Sequence, residues 1–532
     1  MKYSDWRKGF VLVLLACCVP LSGCIKVGPD FLRPKTAVSP KWMEAGDQRL
    51  KSGAADYRAW WKEFNDPVLD RIIDRAYGAN LSLRVAGVRV LEARAQLGIA
   101  VGGLYPQTQQ ATGSLAFNRT SEVSPSSAAS LGGLQQQHSY WQDQGNFNIS
   151  WELDFWGKFR RAVESADAGL LAAVADYDST LVGLTADAAS TYIRIRTLEK
   201  RLAIARQNAD TQAESLLLAE TRFKGGVTSE RDVEQARTAL YNTLATIPGL
   251  EAQLRQAKNA LCVLMGLPPD DLAGFLEGPG EIPTPPLQVA VGIPADLIRR
   301  RPDLRSAEFQ AAAQSARIGI AKADLLPAFS LTGSFGLLSS SVGTFSLADM
   351  FTMKAGTVTT GPGFQWNILN YGRITNAVRV EDAKFQELLI SYQDTVLRAQ
   401  QEVEDSLAGF LRAQETADYL AQSALAAQRS LDLAFIQYRQ GSTDFTTVLV
   451  AQQALHVTQD SFANALGNIS GNLVLVYRAL GGGWQIREGR DFVPEEIKAA
   501  MAKRTNWGNL LTPASHTPPA DTPGPTVRWP DW

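Results

Sequence analysis

Cys24 is the side chain whose setting most invites covalent chemistry. Its thiol follows the small residues Ser22 and Gly23, behind an apolar run from Gly9 to Val19. A thiol is a nucleophile open to covalent modification, and small residues behind an apolar run are the setting of a processing site. The remaining inventory is poor in reactive groups. The chain has 3 His, one of them (His516) in a Pro-rich tail, and 4 Cys, of which Cys17 and Cys18 lie inside the apolar run. No Ser/His/Asp arrangement, phosphate-cradling loop or metal-ligand cluster is evident, so an enzyme is the least supported class. Met350 and Met353 form a soft-ligand pair that reads as a loop detail rather than a copper site. With 52 Lys+Arg against 54 Asp+Glu there is no basic excess, which argues against a nucleic-acid partner.

Lys2, Arg7 and Lys8 precede the apolar run, which is too short to span a bilayer as a helix. Together with Leu21-Ser22-Gly23-Cys24 it resembles the lipobox of bacterial lipoproteins. That resemblance implies removal of residues 1–23 and a covalent lipid on Cys24, with no other cofactor. Ile25 rather than Asp follows, which in lipoproteins generally favours the outer membrane. Mature Cys24 and Cys262 then have no obvious disulfide role. Mean hydropathy is −0.11, which argues against a bundle of membrane helices. It leaves room for a β-barrel, whose strands are only half apolar.

The elements that hold these residues come from a duplication. Trp151-Glu152-Leu153-Asp154-Phe155-Trp156-Gly157-Lys158 matches Trp366-Asn367-Ile368-Leu369-Asn370-Tyr371-Gly372-Arg373 at an interval of 215 residues. Phe223-Lys224-Gly225-Gly226 matches Tyr438-Arg439-Gln440-Gly441, and Met265-Gly266 matches Leu480-Gly481, at the same interval of 215. Each half reads as helix, strand pair, long helix, turn, helix. Asn80 and Asp303 are candidate N-caps of the first helices, which run to Tyr105-Pro106 and Leu326-Pro327. Period-two alternation follows at Phe147, Ile149, Trp151, Leu153 and Phe155, and again at Phe329, Leu331, Gly333, Phe335 and Leu337, then Phe364, Trp366 and Ile368. Polar stretches 118–144 and 339–356 are expected to be long loops on one side of the strands. From Leu170 to Leu216 apolar residues recur about every 3.5 positions, the spacing of coiled-coil helices. A helix from Gly157 to Lys224 would be about 100 Å long and its partner from Ser229 to Met265 about 55 Å. The shorter one must stack end to end on another helix, for which Leu81 to Ala100 is the candidate.

Two strand pairs give four strands per chain, and an open four-stranded sheet cannot face lipid with bare edges. Three chains would close a twelve-stranded barrel of about 24 Å backbone diameter, wide enough for a water-filled pore. Trp151, Trp156, Trp366 and Tyr371 are candidates for its interfacial aromatics. The fold expected is α+β, mainly α: a trimeric outer-membrane barrel continuous with a long α-barrel of coiled-coil helices.

Specific motifs accompany this architecture. Cys24-Ile25-Lys26-Val27-Gly28-Pro29-Asp30-Phe31, Trp60-Trp61-Lys62-Glu63-Phe64-Asn65-Asp66-Pro67, Arg300-Arg301-Pro302-Asp303-Leu304-Arg305-Ser306-Ala307-Glu308 and Ala479-Leu480-Gly481-Gly482-Gly483-Trp484 are together similar to the TolC-like outer-membrane efflux channels, in their lipoprotein branch. The resemblance spans roughly residues 24–484, and the chain divides into a signal (1–23), a lipid-anchored equatorial segment (24–66), repeat one (67–270), a Pro-rich linker (271–290), repeat two (291–484) and a C-terminal segment (485–532), a tail with a Pro-rich end that is expected to be disordered from about Gln485. It implies a homotrimer in outer-membrane lipid. Such a channel receives small molecules from an inner-membrane pump of the resistance-nodulation-division type through a periplasmic adaptor. Protein secretion and metal efflux are the alternative cargoes.

The functional residues implied are the two inter-helix turns at the periplasmic tips. Tip one is Lys224-Gly225-Gly226-Val227-Thr228-Ser229 and tip two is Arg439-Gln440-Gly441-Ser442-Thr443-Asp444, both expected to dock the adaptor. Asp232 and Tyr438 match positions of the family's closing network, and a hydrogen bond between them is expected. Thr447 and Val450 stand where relatives often place acidic residues, so Val450 could form an apolar constriction instead.

Overall fold

The computed structural model describes residues 26–51, 57–119, 121, 139–278, 280–286, 288–292, 294–295, 300–342 and 346–512. The signal, Cys24 and the tail from 513 onward lie outside the described residues.

Both halves carry helix, strand pair, long helix and partner helix in the same order, and repeat one shows a further helix, Pro67–Ala79, before them. Repeat one contains α1 (Pro67–Ala79), α2 (Leu81–Gly102), β1 (Thr108–Arg119), β2 (Ser139–Leu153), α3 (Lys158–Lys224) and α4 (Glu230–Leu264). Repeat two contains α5 (Pro302–Ala323), β3 (Ala328–Ser340), β4 (Gly356–Gln365), α6 (Arg373–Arg439) and α7 (Phe445–Ala479). The long helices α3 and α6 have 67 residues each, and their partners α4 and α7 have 35 each. Duplication therefore reaches to helix length.

The expected stacking is present. Asn80 caps α2 by accepting from the Leu83 amide at 2.9 Å, and its side-chain amide donates to the Leu264 carbonyl at the end of α4 at 3.0 Å. One residue thus terminates two coaxial helices, satisfying an orphan donor of one and an orphan acceptor of the other. The second half solves the same joint differently. Arg301, not Asp303, precedes α5, and its guanidinium donates to the Ala479 carbonyl at the end of α7 at 2.9 Å. Asp303 lies in the first turn and accepts from Arg301 at 2.7 Å, because Pro302 occupies the first helical position. Four helical columns result: α2 on α4, α3, α5 on α7, and α6.

The four strands form one antiparallel sheet in the order β1-β2-β3-β4. They are longer than the alternation alone suggests, taking in Asn118, Arg119 and Ser139–Gln144 from the expected upper loop. Trp366 and Ile368 lie beyond the end of β4. Register puts Leu115, Phe117, Trp141, Phe147, Ile149, Leu331, Phe335, Val358 and Phe364 on one face, and Asn146, Asn148, Ser150, Thr332, Ser334 and Thr359 on the other. At the base of the sheet the Trp151 indole donates to the Leu104 carbonyl at 3.1 Å, and Trp366 makes the equivalent bond to Leu325 at 3.0 Å. These tryptophans fasten strands to helix ends.

A shared core knits the middle. Trp60 stacks on Tyr477 at 5.2 Å between ring centroids, and Trp61 and Phe64 are buried beside it. A two-residue parallel ladder joins Leu50–Lys51 of the N-terminal segment to Val289–Ala290 of the linker. The C-terminal segment is folded well past the expected start of disorder: α8 (Glu495–Arg504) forms, and Arg94 holds the Leu510 and Thr512 carbonyls at 2.6 and 3.1 Å. Asp178, sealed inside α3, is paired with Arg487 of that segment. Burial pushes the Asp178 carboxyl upward against the pull of Arg487.

Candidate functional site: the helical tips

Both turns are closed the same way. α3 ends at Lys224, and Gly226 (φ +71°) reverses the chain while the Val227 amide reaches back to the Arg222 carbonyl at 2.9 Å. In the second tip Gly441 (φ +73°) takes that role and the Ser442 amide bonds the Gln437 carbonyl at 3.0 Å. Such left-handed helix ends favour glycine because it has no Cβ to clash. Gly225, Gly226, Val227, Ser229, Arg439, Gly441, Ser442 and Asp444 are exposed, with Thr228 and Thr443 half-buried, so the two turns present backbone and small polar groups.

The next helices are started by different chemistry. Asp444 caps α7 by accepting from the Thr447 amide at 3.2 Å and from its hydroxyl at 3.0 Å, and Thr443 donates to Thr447 at 2.9 Å. Ser229 occupies the cap position of α4, but its side chain makes no capping bond to the helix backbone. Asp232 instead accepts from Thr228, and from Arg231 at 3.4 Å. Burial raises its pKa, but the hydroxyls of Thr228 and Ser229 and the Arg231 charge outweigh it and hold the carboxyl below its usual range.

The Asp232–Tyr438 hydrogen bond is not made. The Tyr438 hydroxyl is buried with no partner, because the Tyr438 ring packs edge-on against Phe445 at 5.4 Å. Tyr438 is engaged by a residue that the sequence reading did not single out. Arg222, in the last turn of α3, donates to the Tyr438 carbonyl at 2.7 Å, with its guanidinium 4.5 Å from the centre of the Tyr438 ring. This joins the coil of the first repeat to that of the second. A cation in the last turn of a helix, three residues before a double glycine, was the available signal. Further up, Gln452 donates to Ser215 at 2.6 Å, and Arg201 grips Asp460 at 2.7 and 3.0 Å. A small apolar cluster containing Ala219, Val233, Tyr438, Phe445 and Val448 fills the space between the coils. Thr447 is consumed by the cap, and Val450 is 62% exposed in a groove shared with Leu433, Gln437 and Ala454.

The outer membrane efflux protein family model matches residues 72–267 and 293–482, covering both repeats. Nodulation protein T of Rhizobium leguminosarum bv. trifolii is 31% identical over 485 residues, covering 91% of this chain and 98% of that protein. The probable outer membrane lipoprotein SilC of Salmonella typhimurium is 29% identical over 477 residues, 87% of this chain and 96% of that one. Among solved structures, the outer-membrane channel OprN superposes with a TM-score of 0.79 at 30% identity, over 86% of this chain and 99% of that chain. The fold is that of the trimeric TolC-like channels, with a sheet for the outer membrane and helices extending into the periplasm. The same architecture repeated in both halves, and matched along both, shows that the chain belongs to the outer membrane efflux protein family, the channels of tripartite efflux systems.

Proposed function

We propose that three copies of this chain form a passive conduit that carries small toxic molecules outward, loaded through a periplasmic adaptor from an inner-membrane pump. The observation that carries this reading is the four-stranded sheet, with one apolar face, one polar face and two open edges, set on four full-height helical columns. Edges and apolar face are both tolerable only in a closed barrel surrounded by lipid, and the polar face then lines water. Three copies supply twelve strands and twelve columns, so barrel and helical wall match in number.

Lipidation of Cys24 is supported by how the chain beside it is held. The Val27 amide donates to the Trp156 carbonyl at 3.0 Å and Lys26 pairs with Glu164 at 3.0 Å, at the corner where β2 gives way to α3. Lys26 and Val27 are thereby fixed at the helical rim of the barrel, and a lipid on Cys24 is the anchor that suits this attachment.

The closed tip is held by Arg222 on Tyr438, backed by the small cluster behind it, while the exposed glycine turns receive the adaptor. Purified protein inserted into a planar bilayer tests the reading: stepwise ion conductance is expected, and its absence from correctly assembled protein contradicts it. In cells, deletion should raise accumulation of pump substrates, and the tips should be needed for adaptor co-purification.

A further inference from the structure

Between β3 and β4 the chain does not simply loop through the extracellular space. Residues Leu347–Phe351 and Met353–Ala355 form two short 3-10 turns that contact β2 and β3. The contacts are on a definite face. A Cβ on Gly145 would meet the Met350 methyl at 2.9 Å, and Ser339 donates to the Ser346 carbonyl at 2.7 Å. Gly145 and Ser339 belong to the apolar face, the one that also carries Phe147, Ile149, Leu331 and Phe335. The turns therefore lie against the outside of the barrel wall rather than over its mouth.

Their position explains an irregularity of that face. Near its upper end the face carries Asp143 opposite Ser339, polar residues on a surface otherwise meant for hydrocarbon. One Asp143 carboxylate oxygen is sealed from solvent and Ser339 is buried. Polar groups facing lipid are costly, and a segment laid over them removes that contact. What the segment shows outward in exchange is Phe351, 86% exposed, and Met353, 94% exposed, with the Lys354 cation beside them. The nearby acid, Asp349, is half-buried and engaged by the Ser346 amide at 2.7 Å in a capping box, while Lys354 is exposed. The belt just above and beside the turns is Leu115, Phe117 and Trp141, with Phe117 and Trp141 5.3 Å apart.

We propose that residues 346–355 are a membrane-seated pad: Phe351 and Met353 enter the acyl–headgroup boundary of the outer leaflet, and Lys354 reaches its phosphate groups. The pad is continuous with the lipid-facing belt of the barrel, and an aromatic, a thioether and a cation suit an interface that is apolar below and anionic above. It sits on the central strands β2 and β3, away from the edges where neighbouring copies join. The proposal rests on the barrel reading, and its test separates the two.

Spin labels on Phe351→Cys, Val358→Cys and Thr359→Cys variants of the full chain, reconstituted in anionic-lipid vesicles, are compared for collision with oxygen and with a water-soluble nickel chelate. The parent protein, whose Cys262 is buried, gives the background. Val358 on the apolar face should favour oxygen and Thr359 on the polar face the chelate; if both favour the chelate, the barrel reading fails. With those two as expected, a Phe351 label that favours oxygen supports the pad, and one as open to the chelate as Thr359 overturns it. A second readout needs no substitution. Met353 and the comparably exposed Met43 of the N-terminal segment are followed during oxidation by a water-borne oxidant. Seating Met353 in lipid should slow its oxidation about tenfold relative to Met43, whereas equal rates contradict the pad.

Discussion

Replacing Arg222 by Ala should leave the channel assembled but leaky. Its guanidinium makes one charge-assisted hydrogen bond to the Tyr438 carbonyl at 2.7 Å and lies 4.5 Å from the ring centre, linking the two coils. A hydrogen bond to a charged group contributes about 1.5–3 kcal/mol and a partly exposed cation–π contact about 0.5–1 kcal/mol. Arg222 is half-buried, so solvent screening reduces the sum to about 2 kcal/mol per chain. Since about 1.4 kcal/mol is a factor of ten, the closed-to-open ratio should fall by about thirtyfold, further if three tips open together. Single-channel recording in planar bilayers reads this as a higher open probability at unchanged full conductance. Arg222→Lys, which keeps the charge but loses the planar stack, should fall between parent and Ala. Closed-state current unchanged in an intact Arg222→Ala channel would refute the assignment.

Tyr438→Phe should leave conductance and stability at parental level, because the hydroxyl it removes has no partner; Tyr438→Ala, which removes the ring, should open the channel. Asp232 has a lowered pKa, so its contribution is fully present above the ordinary carboxylate value and is lost only as pH falls through the lower folded-state value. Bilayer leak should therefore stay flat from pH 7 to pH 5 and rise only in stronger acid, a rise that Asp232→Asn removes. Arg487→Ala strands the buried Asp178 carboxylate at a cost of about 3–5 kcal/mol, releasing the C-terminal segment to proteolysis; Asp178→Leu with Arg487→Met should recover most of the loss. Gly266→Ala forces a side chain onto φ +66° and against the Ala79 carbonyl, so thermal unfolding should shift downward. A normal melting curve would show that the α4–α2 joint yields easily.

The architecture was legible because it is written twice. Equal intervals between Trp151 and Trp366 and between Gly226 and Gly441 fix helix, turn and strand in both halves, and simple length arithmetic requires α4 to stack on α2. Caps were less legible. Asn80 was readable as a cap, but Pro302 at the first helical position moves the second helix start two residues earlier and gives the joint to Arg301, whose long side chain reaches a carbonyl that no local pattern reveals. The polar stretches around the strands misled because a barrel strand needs apolar residues on one face only, so Ser139–Gln144 pairs as well as its neighbours. The C-terminal segment looked like tail because its anchors, Arg487 on Asp178 and Arg94 on Leu510, join residues hundreds of positions apart. At the tip, sequence located Tyr438 but assigned the wrong group. Its hydroxyl is idle, while its ring and carbonyl are what Arg222 holds.

The central claim is that the open edges of β1 and β4 are closed by neighbouring copies into one twelve-stranded wall. Native mass spectrometry of the mature protein released from detergent micelles measures the number of copies directly. Three chains per complex is the predicted mass; a monomer or a two-chain complex would contradict the account, because four or eight strands cannot match the helical wall that the family fold requires.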